Sequence, residues 1–302
     1  MRSIRDMGGL NACTAGPEFA ACVKGENTPM TQDLFRQNAY LTECTATVTA
    51  ITPQGLVLDR TVFYPLGGGQ AGDTGWLVLS NGSQIDITDT RKGKAEDGSF
   101  NGEIVHLCSP DMLEKLQNSD HSATFPLAVG DTVTARIDWP RRLRMMRFHT
   151  ASHLLCHIVP KLVNGCSITP DYARIDFNMT EALDKEALSA AIAKLVAAAH
   201  PVSVGCITDG ELDANPALVK SMSVQPPRGS GQIRTIQIGT ATPDAAQTSQ
   251  ATVGADQIDT LIDLQPCGGT HVANTAEIGQ VIVTKIEKKS AMSRRVVLGF
   301  AP

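Results

Sequence analysis

The sequence DWPRRLRMMRFHTASHLLCHIVP, residues 138–160, marks the point at which the chain changes from a strand-like to a helical pattern. Asp138 is a good N-cap residue, and Pro140 stands in the first turn, where a missing backbone N–H costs nothing. Apolar residues then recur at helical spacing until Pro160, which ends the run. The sequence therefore predicts a long helix that opens the second part of the chain.

The part before this helix is predicted to be rich in β-strands. Asn81-Gly82 lies between the apolar stretches Trp76–Leu79 and Ile85–Ile87, which is typical of a β-hairpin. Short strands with frequent Gly and Pro turns favour a small antiparallel β-barrel or β-sandwich, of which we expect the barrel. We therefore expect a β-barrel-like domain over residues 30–138.

The part after the helix combines a second helix with several strands. The second helix is expected after Thr180, and the predicted strands are Val202–Ile207, Ile233–Ile238, Ile258–Leu264, Ile278–Ile286 and Arg294–Leu298. Helices and strands in separate runs indicate an α+β domain with an antiparallel sheet over residues 139–302. The fold class predicted for the whole chain is α+β.

Composition places the chain among ordinary globular proteins. It has 302 residues, of which 42% are hydrophobic, and a formal net charge of −5, which argues against nonspecific capture of nucleic acid. Its eight cysteines are scattered, with no C-x-x-C pair, as expected for reduced thiols in a cytoplasmic protein. No apolar run is long enough to span a membrane. Residues 1–29 have no periodicity, and we expect a disordered leader there.

A glycine-rich segment, FYPLGGGQAGDTG at residues 63–75, interrupts the strands of the first part. Glycine allows a positive φ and close approach of the backbone to a ligand, although a sharp turn at a barrel corner explains the same composition. The segment lacks the Gly-Lys-Ser/Thr ending of a phosphate-binding loop, and no helix follows as in a dinucleotide-binding fingerprint. We therefore expect no nucleotide cofactor.

Two separated residue pairs suggest one metal site. His149 and His153 are four residues apart on the predicted helix and share a face, and so do His153 and His157, so spacing alone leaves both pairs open. Cys267 and His271 repeat the interval on an expected loop. Imidazole and thiolate ligands together suit Zn²⁺. A single zinc ion per chain is therefore expected.

The order of four motifs resembles the editing domain of alanyl-tRNA synthetase and its free-standing relatives, the AlaX editing proteins of the longer type. These motifs are the glycine-rich segment, RR…MRFHTASHLL at 141–155, RIDF at 174–177 and PCGGTHV at 266–272. The resemblance covers residues 31–300. Two positions depart from the family pattern: Leu66 replaces a glutamate and Ala71 a proline, which removes any carboxylate from that part of the loop.

The resemblance implies a trans-editing deacylase that hydrolyses mischarged Ser-tRNA(Ala), with Gly-tRNA(Ala) as a second candidate substrate. It selects His149, His153, Cys267 and His271 as the zinc ligands. The hydroxyls of Thr150 and Ser152 are expected to contact the amino acid or the attacking water. The remaining expected substrate-binding residues are Gly67, Gly68, Gly69, Arg141 and Arg142. Oligomeric state is not readable from the sequence.

Basic residues flank the expected ligands and suggest either a rim for tRNA phosphates or ordinary solvated faces, with Arg147 also a candidate for a structural ion pair. They are Arg141, Arg142, Arg144 and Arg147 before the first ligand, and Lys285, Lys288, Lys289, Arg294 and Arg295 after the last. Two other functions stay open at this point: a noncatalytic zinc-stabilised RNA-binding module, and a zinc-dependent hydrolase of other small esters.

Overall fold

The computed structural model describes residues 30–117, 127–226, 228, 231–240 and 261–302. The expected leader over residues 1–29 and the start of the strand expected at 258–264 lie outside these residues.

The helices are α1 Leu34–Gln37, α2 Pro110–Gln117, α3 Trp139–Ile158, α4 Lys185–Ala197 and α5 Asp209–Ala214, with 3-10 turns at Pro216–Leu218 and Thr275–Ile278. The strands of the first part are β1 Gln32–Asp33, β2 Glu43–Thr52, β3 Gly55–Leu58, β4 Arg60–Thr61, β5 Gly75–Val78, β6 Gln84–Ile87, β7 Asp89–Lys94, β8 Phe100–Leu107 and β9 Thr132–Ile137. Those of the second part are β10 Val163–Ile168, β11 Ala173–Asn178, β12 Val202–Ile207, β13 Ile233–Ile238, β14 Asp263–Pro266, β15 Val281–Ser290 and β16 Ser293–Phe300.

The first part is a seven-stranded antiparallel sheet in the order β6-β5-β9-β2-β3-β8-β7. The ten-residue strand β2 pairs with β9 through its first half and with β3 through its second half, and a register shift lies between Val48 and Ala50. Such a bulge bends a strand and increases its twist, so the two halves of the sheet can face each other. In the described part of the chain the edge strands β6 and β7 do not pair with each other, and the expected barrel is a half-barrel.

The second part contains two antiparallel sheets, with strand orders β10-β11-β16-β15 and β12-β13-β14. Helices α3 and α4 contact each other and share a hydrophobic core with the four-stranded sheet. The side chain of Asp138 caps α3 by accepting a hydrogen bond from the backbone N–H of Arg141 at 3.1 Å. The N-terminal start of α3 therefore lies at the predicted residue.

Each part has its own buried hydrophobic cluster. One cluster runs from Ala46 to Ile137, and the other from Met145 to Leu298. Trp139, at the start of α3, is partly buried against both. Within the described residues, no helix combines the length and apolar character needed to cross a membrane.

The strand predictions differ in outcome. Those at Val202–Ile207 and Ile233–Ile238 are confirmed at the residue level, and the last two are confirmed with shifted ends. Strands β10 and β11 were not predicted as strands. Strand β10 has the sequence VNGCSI, which shows no apolar alternation and takes its extended form from pairing with β11.

Candidate metal centre

Two histidines on α3 and the Cys267–His271 pair come together although more than a hundred residues separate the two pairs. The four potential ligand atoms of His149, His153, Cys267 and His271 all lie within 4.8 Å of one another. The Cys267 Sγ is 3.5 Å from Nε2 of His149 and 3.3 Å from Nε2 of His271. His157 is exposed and outside this group, so the structure selects the His149–His153 pair.

Gln70, the last residue of the GGGQ sequence, orients His149. Its Oε1 lies 2.9 Å from Nδ1 of His149 and also accepts the backbone N–H of Thr270 at 3.1 Å. The amide nitrogen donates to the Thr270 hydroxyl at 2.8 Å, which fixes the orientation of the amide. Nδ1 of His149 therefore carries the proton and Nε2 is left for a metal ion. Gly269 completes this contact, because a Cβ there would lie 2.1 Å from Cε1 of His149.

Asp263, at the start of β14, orients His153. Its Oδ2 accepts from Nδ1 of His153 at 2.8 Å, and its Oδ1 lies 2.5 Å from Nζ of Lys220. The carboxylate is 3% exposed and also accepts from the side chain of Gln265. A carboxylate that holds the outer nitrogen of a histidine is a common support for a metal ligand.

Thr150 orients His271. Its hydroxyl donates to the carbonyl of Met146 at 3.0 Å, so its oxygen accepts from Nδ1 of His271 at 3.1 Å. Thr150 is completely buried and lies behind the ligands, away from the cavity wall. This position corrects the expectation that the Thr150 hydroxyl contacts substrate, because the side chain is fully enclosed and its oxygen already accepts from Nδ1 of His271 and from the backbone N–H of Val272.

The pKa values of Cys267 and His271 favour the protonation states of metal ligands, whereas His153 would have to release its Nε2 proton to a binding metal ion. Burial alone would raise the pKa of the Cys267 thiol, but the imidazoles of His149 and His271 lower it well below its usual value. Burial, together with His149, lowers the pKa of His271 well below normal. Burial also opposes the charging of His153, but hydrogen bonds to Asp263 and Cys267 raise its pKa to about 9. A thiolate beside three imidazoles, each held by its outer nitrogen, can hold a metal ion.

A cavity of about 450 Å³ opens beside this cluster. Its wall includes three of the ligands and the expected residues Gly67, Gly68 and Ser152. The Ser152 hydroxyl donates to the carbonyl of Phe148 at 2.8 Å and keeps its lone pairs available as acceptors. Gly69 faces β10 instead, where a Cβ would meet Sγ of Cys166 at 2.3 Å, and its φ is +84°.

The glycine-rich segment is also tied to α3 through a buried ion pair. Arg142 is completely buried, and its guanidinium pairs with Asp73 and donates to the carbonyls of Ala39 and Val62. This position corrects the expected contact of Arg142 with substrate, since an enclosed side chain held by these three partners cannot reach RNA. Arg141 is half-buried and donates to the carbonyl of Gly72 at 2.7 Å, and its contact with substrate stays a prediction.

The expected basic rim is partly occupied by contacts within the protein. Arg144 and Arg147 lie over the ring of Phe300, with distances of 4.5 and 4.2 Å to its centroid, and both donate to backbone carbonyls. Arg295 forms an ion pair with Asp176. Lys288 and Lys289 are exposed on β15.

Comparison with known proteins gives one family match in each part of the chain. Residues 233–297 match "Threonyl and Alanyl tRNA synthetase second additional domain", and residues 23–141 match "tRNA synthetases class II (A)". The alanyl-tRNA editing protein AlaX-M of Saccharolobus solfataricus is 31% identical over 280 residues, which are 90% of this chain and 100% of that relative. AlaX-M of Methanosarcina barkeri is 32% identical over 276 residues, 88% of this chain and 98% of the relative. The alanine–tRNA ligase of Metallosphaera sedula is 31% identical over 278 residues, 90% of this chain but 26% of the ligase.

Proposed function

Since this chain belongs to the family of AlaX-M alanyl-tRNA editing proteins, we propose that it is a trans-editing deacylase. Its substrate is mischarged tRNA(Ala) and its reaction is hydrolysis of the aminoacyl ester. Ser-tRNA(Ala) is the first candidate substrate and Gly-tRNA(Ala) the second. The observation that carries the proposal is the convergence of four ligand atoms within 4.8 Å, beside an open cavity whose wall includes three of the ligand residues.

Zinc is the metal that this donor set fits best. Three imidazole nitrogens and one thiolate are the ligand types of tetrahedral zinc sites, and each imidazole has its outer nitrogen held by a protein acceptor. When bound, zinc would hold the ligand loop against the helix, and a fifth coordination position would be needed for it to act as a Lewis acid on a carbonyl or water. His149, His153, Cys267 and His271 would hold it.

The protein's own groups bind and orient the amino acid. Ser152 stands on the cavity wall one residue before the ligand His153, with its hydroxyl oxygen able to accept a hydrogen bond. A pocket cannot exclude alanine by size when it must admit serine. A site that pairs the extra hydroxyl can reject the analogue lacking it by up to about 10⁴–10⁵-fold. Ser152 and the backbone of Gly67 and Gly68 supply polar groups for that contact.

The role of Ser152 is tested by Ser152→Ala. We expect lower kcat/KM for Ser-tRNA(Ala) and reduced preference over Ala-tRNA(Ala). Ser189→Ala is the matched control, because the Ser189 hydroxyl makes the same bond to a carbonyl four residues back, on α4. Unchanged selectivity in Ser152→Ala would remove this residue from the proposed pocket.

The function itself is tested with a panel of mischarged tRNAs. The metal-loaded protein should release serine from Ser-tRNA(Ala), and chelation should abolish the release until zinc is restored. His149→Ala should lose both metal and activity, whereas His157→Ala, two helical turns later and exposed, should keep both. Tight RNA binding without release of any amino acid would indicate a binding module instead. Hydrolysis of small esters at the same rate as of the charged tRNA would indicate a general esterase.

A further inference from the structure

Three cations on the cavity wall come from separate elements of the fold and were not singled out by the sequence. Arg36 belongs to α1, Lys92 to β7 and Arg234 to β13. We call these three side chains the cavity cations. They lie outside the basic rim expected from the sequence.

Two of the cavity cations adjoin the loop that carries Cys267. Nη1 of Arg234 donates to the carbonyl of Cys267 at 2.6 Å. Nη1 of Arg36 lies 3.7 Å from the point that a Cβ on Gly268 would occupy. Both guanidinium groups therefore stand within one residue of a metal ligand. The Nε of Arg234 is buried and has no hydrogen-bond partner within the described part of the chain.

The third cavity cation faces the glycine-rich segment. Nζ of Lys92 lies 3.7 Å from the Cβ position of Gly67 and 5.6 Å from the centroid of the Phe100 ring, and it forms no ion pair with a carboxylate of the described residues. Its side chain is exposed by area, but partial burial of its ammonium group lowers its pKa, and Arg36 lowers it further. Arg36 has one acidic partner, Asp33. Three positive charges therefore face two negative groups at this wall, the Asp33 carboxylate and the Cys267 thiolate.

We propose that the cavity cations form a binding site for the phosphodiester groups of the single-stranded 3′ end of tRNA. This inference rests on the proposed function, because it places the aminoacyl ester at the metal cluster and the adjacent nucleotide linkage at these side chains. Positive charges that outnumber the acidic groups beside them repel one another, and an anionic ligand relieves that repulsion. Guanidinium groups offer paired N–H donors that match phosphate oxygens.

The position of the cavity cations fits the short distance between the aminoacyl ester and the nearest phosphodiester group of a charged tRNA. In a charged tRNA, one ribose separates the terminal phosphodiester group from the aminoacyl group. Arg36 and Arg234 lie next to the loop that carries Cys267, so they would face this phosphodiester group when the ester lies at the metal cluster. Lys220 also lines the cavity, but its charge is matched by the buried carboxylate of Asp263, so it is not part of the proposed site.

The inference is tested by comparing substrates with and without phosphate. Deacylation is measured with Ser-tRNA(Ala) and with 3′-O-seryl-adenosine, which carries no phosphodiester. Lys92→Ala should lower kcat/KM for the charged tRNA roughly tenfold, as expected for loss of one charged hydrogen bond, and leave the nucleoside ester unchanged. The slope of log kcat/KM against log salt should fall by about 0.7, the change for one single-strand phosphate contact.

Matched variants separate charge from structure. Lys92→Arg should restore the activity on charged tRNA. Lys94→Ala removes an exposed lysine from the same strand, outside the cavity wall, and should change neither substrate. Equal loss on both substrates, or no loss on either, in Lys92→Ala would overturn the phosphate site.

A binding measurement distinguishes this inference from the proposed function. A fluorescent CCA trinucleotide should bind the wild-type protein about tenfold more tightly than Lys92→Ala. Lysine-dependent binding without any deacylation would refute the editing function and keep the phosphate site. Deacylation of Ser-tRNA(Ala) that is indifferent to Lys92, with equal trinucleotide affinities, would refute the phosphate site and keep the function.

Discussion

The contact between Asp263 and His153 gives a sharp test of how the metal centre is held together. Asp263→Asn keeps the shape of the side chain but removes the charge that holds Nδ1 of His153 and faces Nζ of Lys220. Supporting groups of this kind are typically worth 10–100-fold in metal affinity. Because the carboxylate is 3% exposed, water cannot substitute for it, and we expect the upper part of that range, about 2 to 3 kcal/mol.

The assay is competition for zinc against a chelating dye at fixed pH, followed by deacylation at saturating zinc. Asp176→Asn serves as the control, because that carboxylate pairs with Arg295 on the sheet and touches no ligand. The control should bind zinc as the wild type does. An affinity for zinc within twofold of wild type in Asp263→Asn would refute the idea that this carboxylate organises the site.

Three further variants address the framework of the site. Asp73→Asn leaves the enclosed guanidinium of Arg142 without its anion, and urea unfolding should show a loss of about 3 to 5 kcal/mol; a loss below about 1 kcal/mol would contradict the burial argument. Gly69→Ala adds a positive-φ penalty and a clash of the new Cβ at 2.3 Å from Sγ of Cys166, so it should lower the rate of deacylation. Gly82→Ala is the control, because it adds the penalty alone, at φ +83° with open space around it, and should leave the rate unchanged. Burial lowers the pKa of His106 from 6.5 to about 4. Between these two pH values the unfolded chain binds a proton that the folded chain does not, so the free energy of unfolding falls as pH decreases, by roughly 3 kcal/mol at pH 4. His106→Gln should remove that part of the pH dependence in urea unfolding, and an unchanged pH profile would contradict the assignment.

The metal cluster was predictable because the residue spacings that mark its ligands are short and visible in the local sequence. Two pairs with a spacing of four residues point to the ligands, the N-cap at Asp138 places the histidine pair on a helix, and the family resemblance selects His149. Periodicity could not choose between His149 and His157 as the partner of His153. The choice depends on which face of α3 is covered, and His157 lies on the exposed side.

The supporting residues were not predictable in the same way. Gln70 is 79 positions from the histidine it orients, and Asp263 is 110 positions from its partner. Nothing in the local sequence marks a glutamine or an aspartate as the holder of a distant imidazole. The glycine-rich segment was a usable signal for Gln70, since a backbone free of side chains indicates that something approaches it closely. Asp263 had no such signal.

The prediction of a basic surface for RNA was wrong for several arginines, because the sequence suggested a function for side chains that have a structural role. A run of arginines on one stretch of helix suggested a surface for RNA, but Arg142 is enclosed, and Arg144 and Arg147 cover the ring of Phe300. A sequence shows where a charge is, but not whether the fold has already paired it. The cavity cations show the converse, because three isolated basic residues meet only after the half-barrel and the second part have come together.

The glycine-rich segment and α3 fit together at two points, and this explains why both parts of the chain are needed for the site. Arg142 and His149 are seven residues apart, which places them on one face of the helix. Their partners Asp73 and Gln70 are three residues apart on the segment. The ion pair fixes the segment against the helix, and the amide then meets the imidazole two turns later. The orientation of His149, a candidate metal ligand in the second part, is therefore set by a loop of the first part.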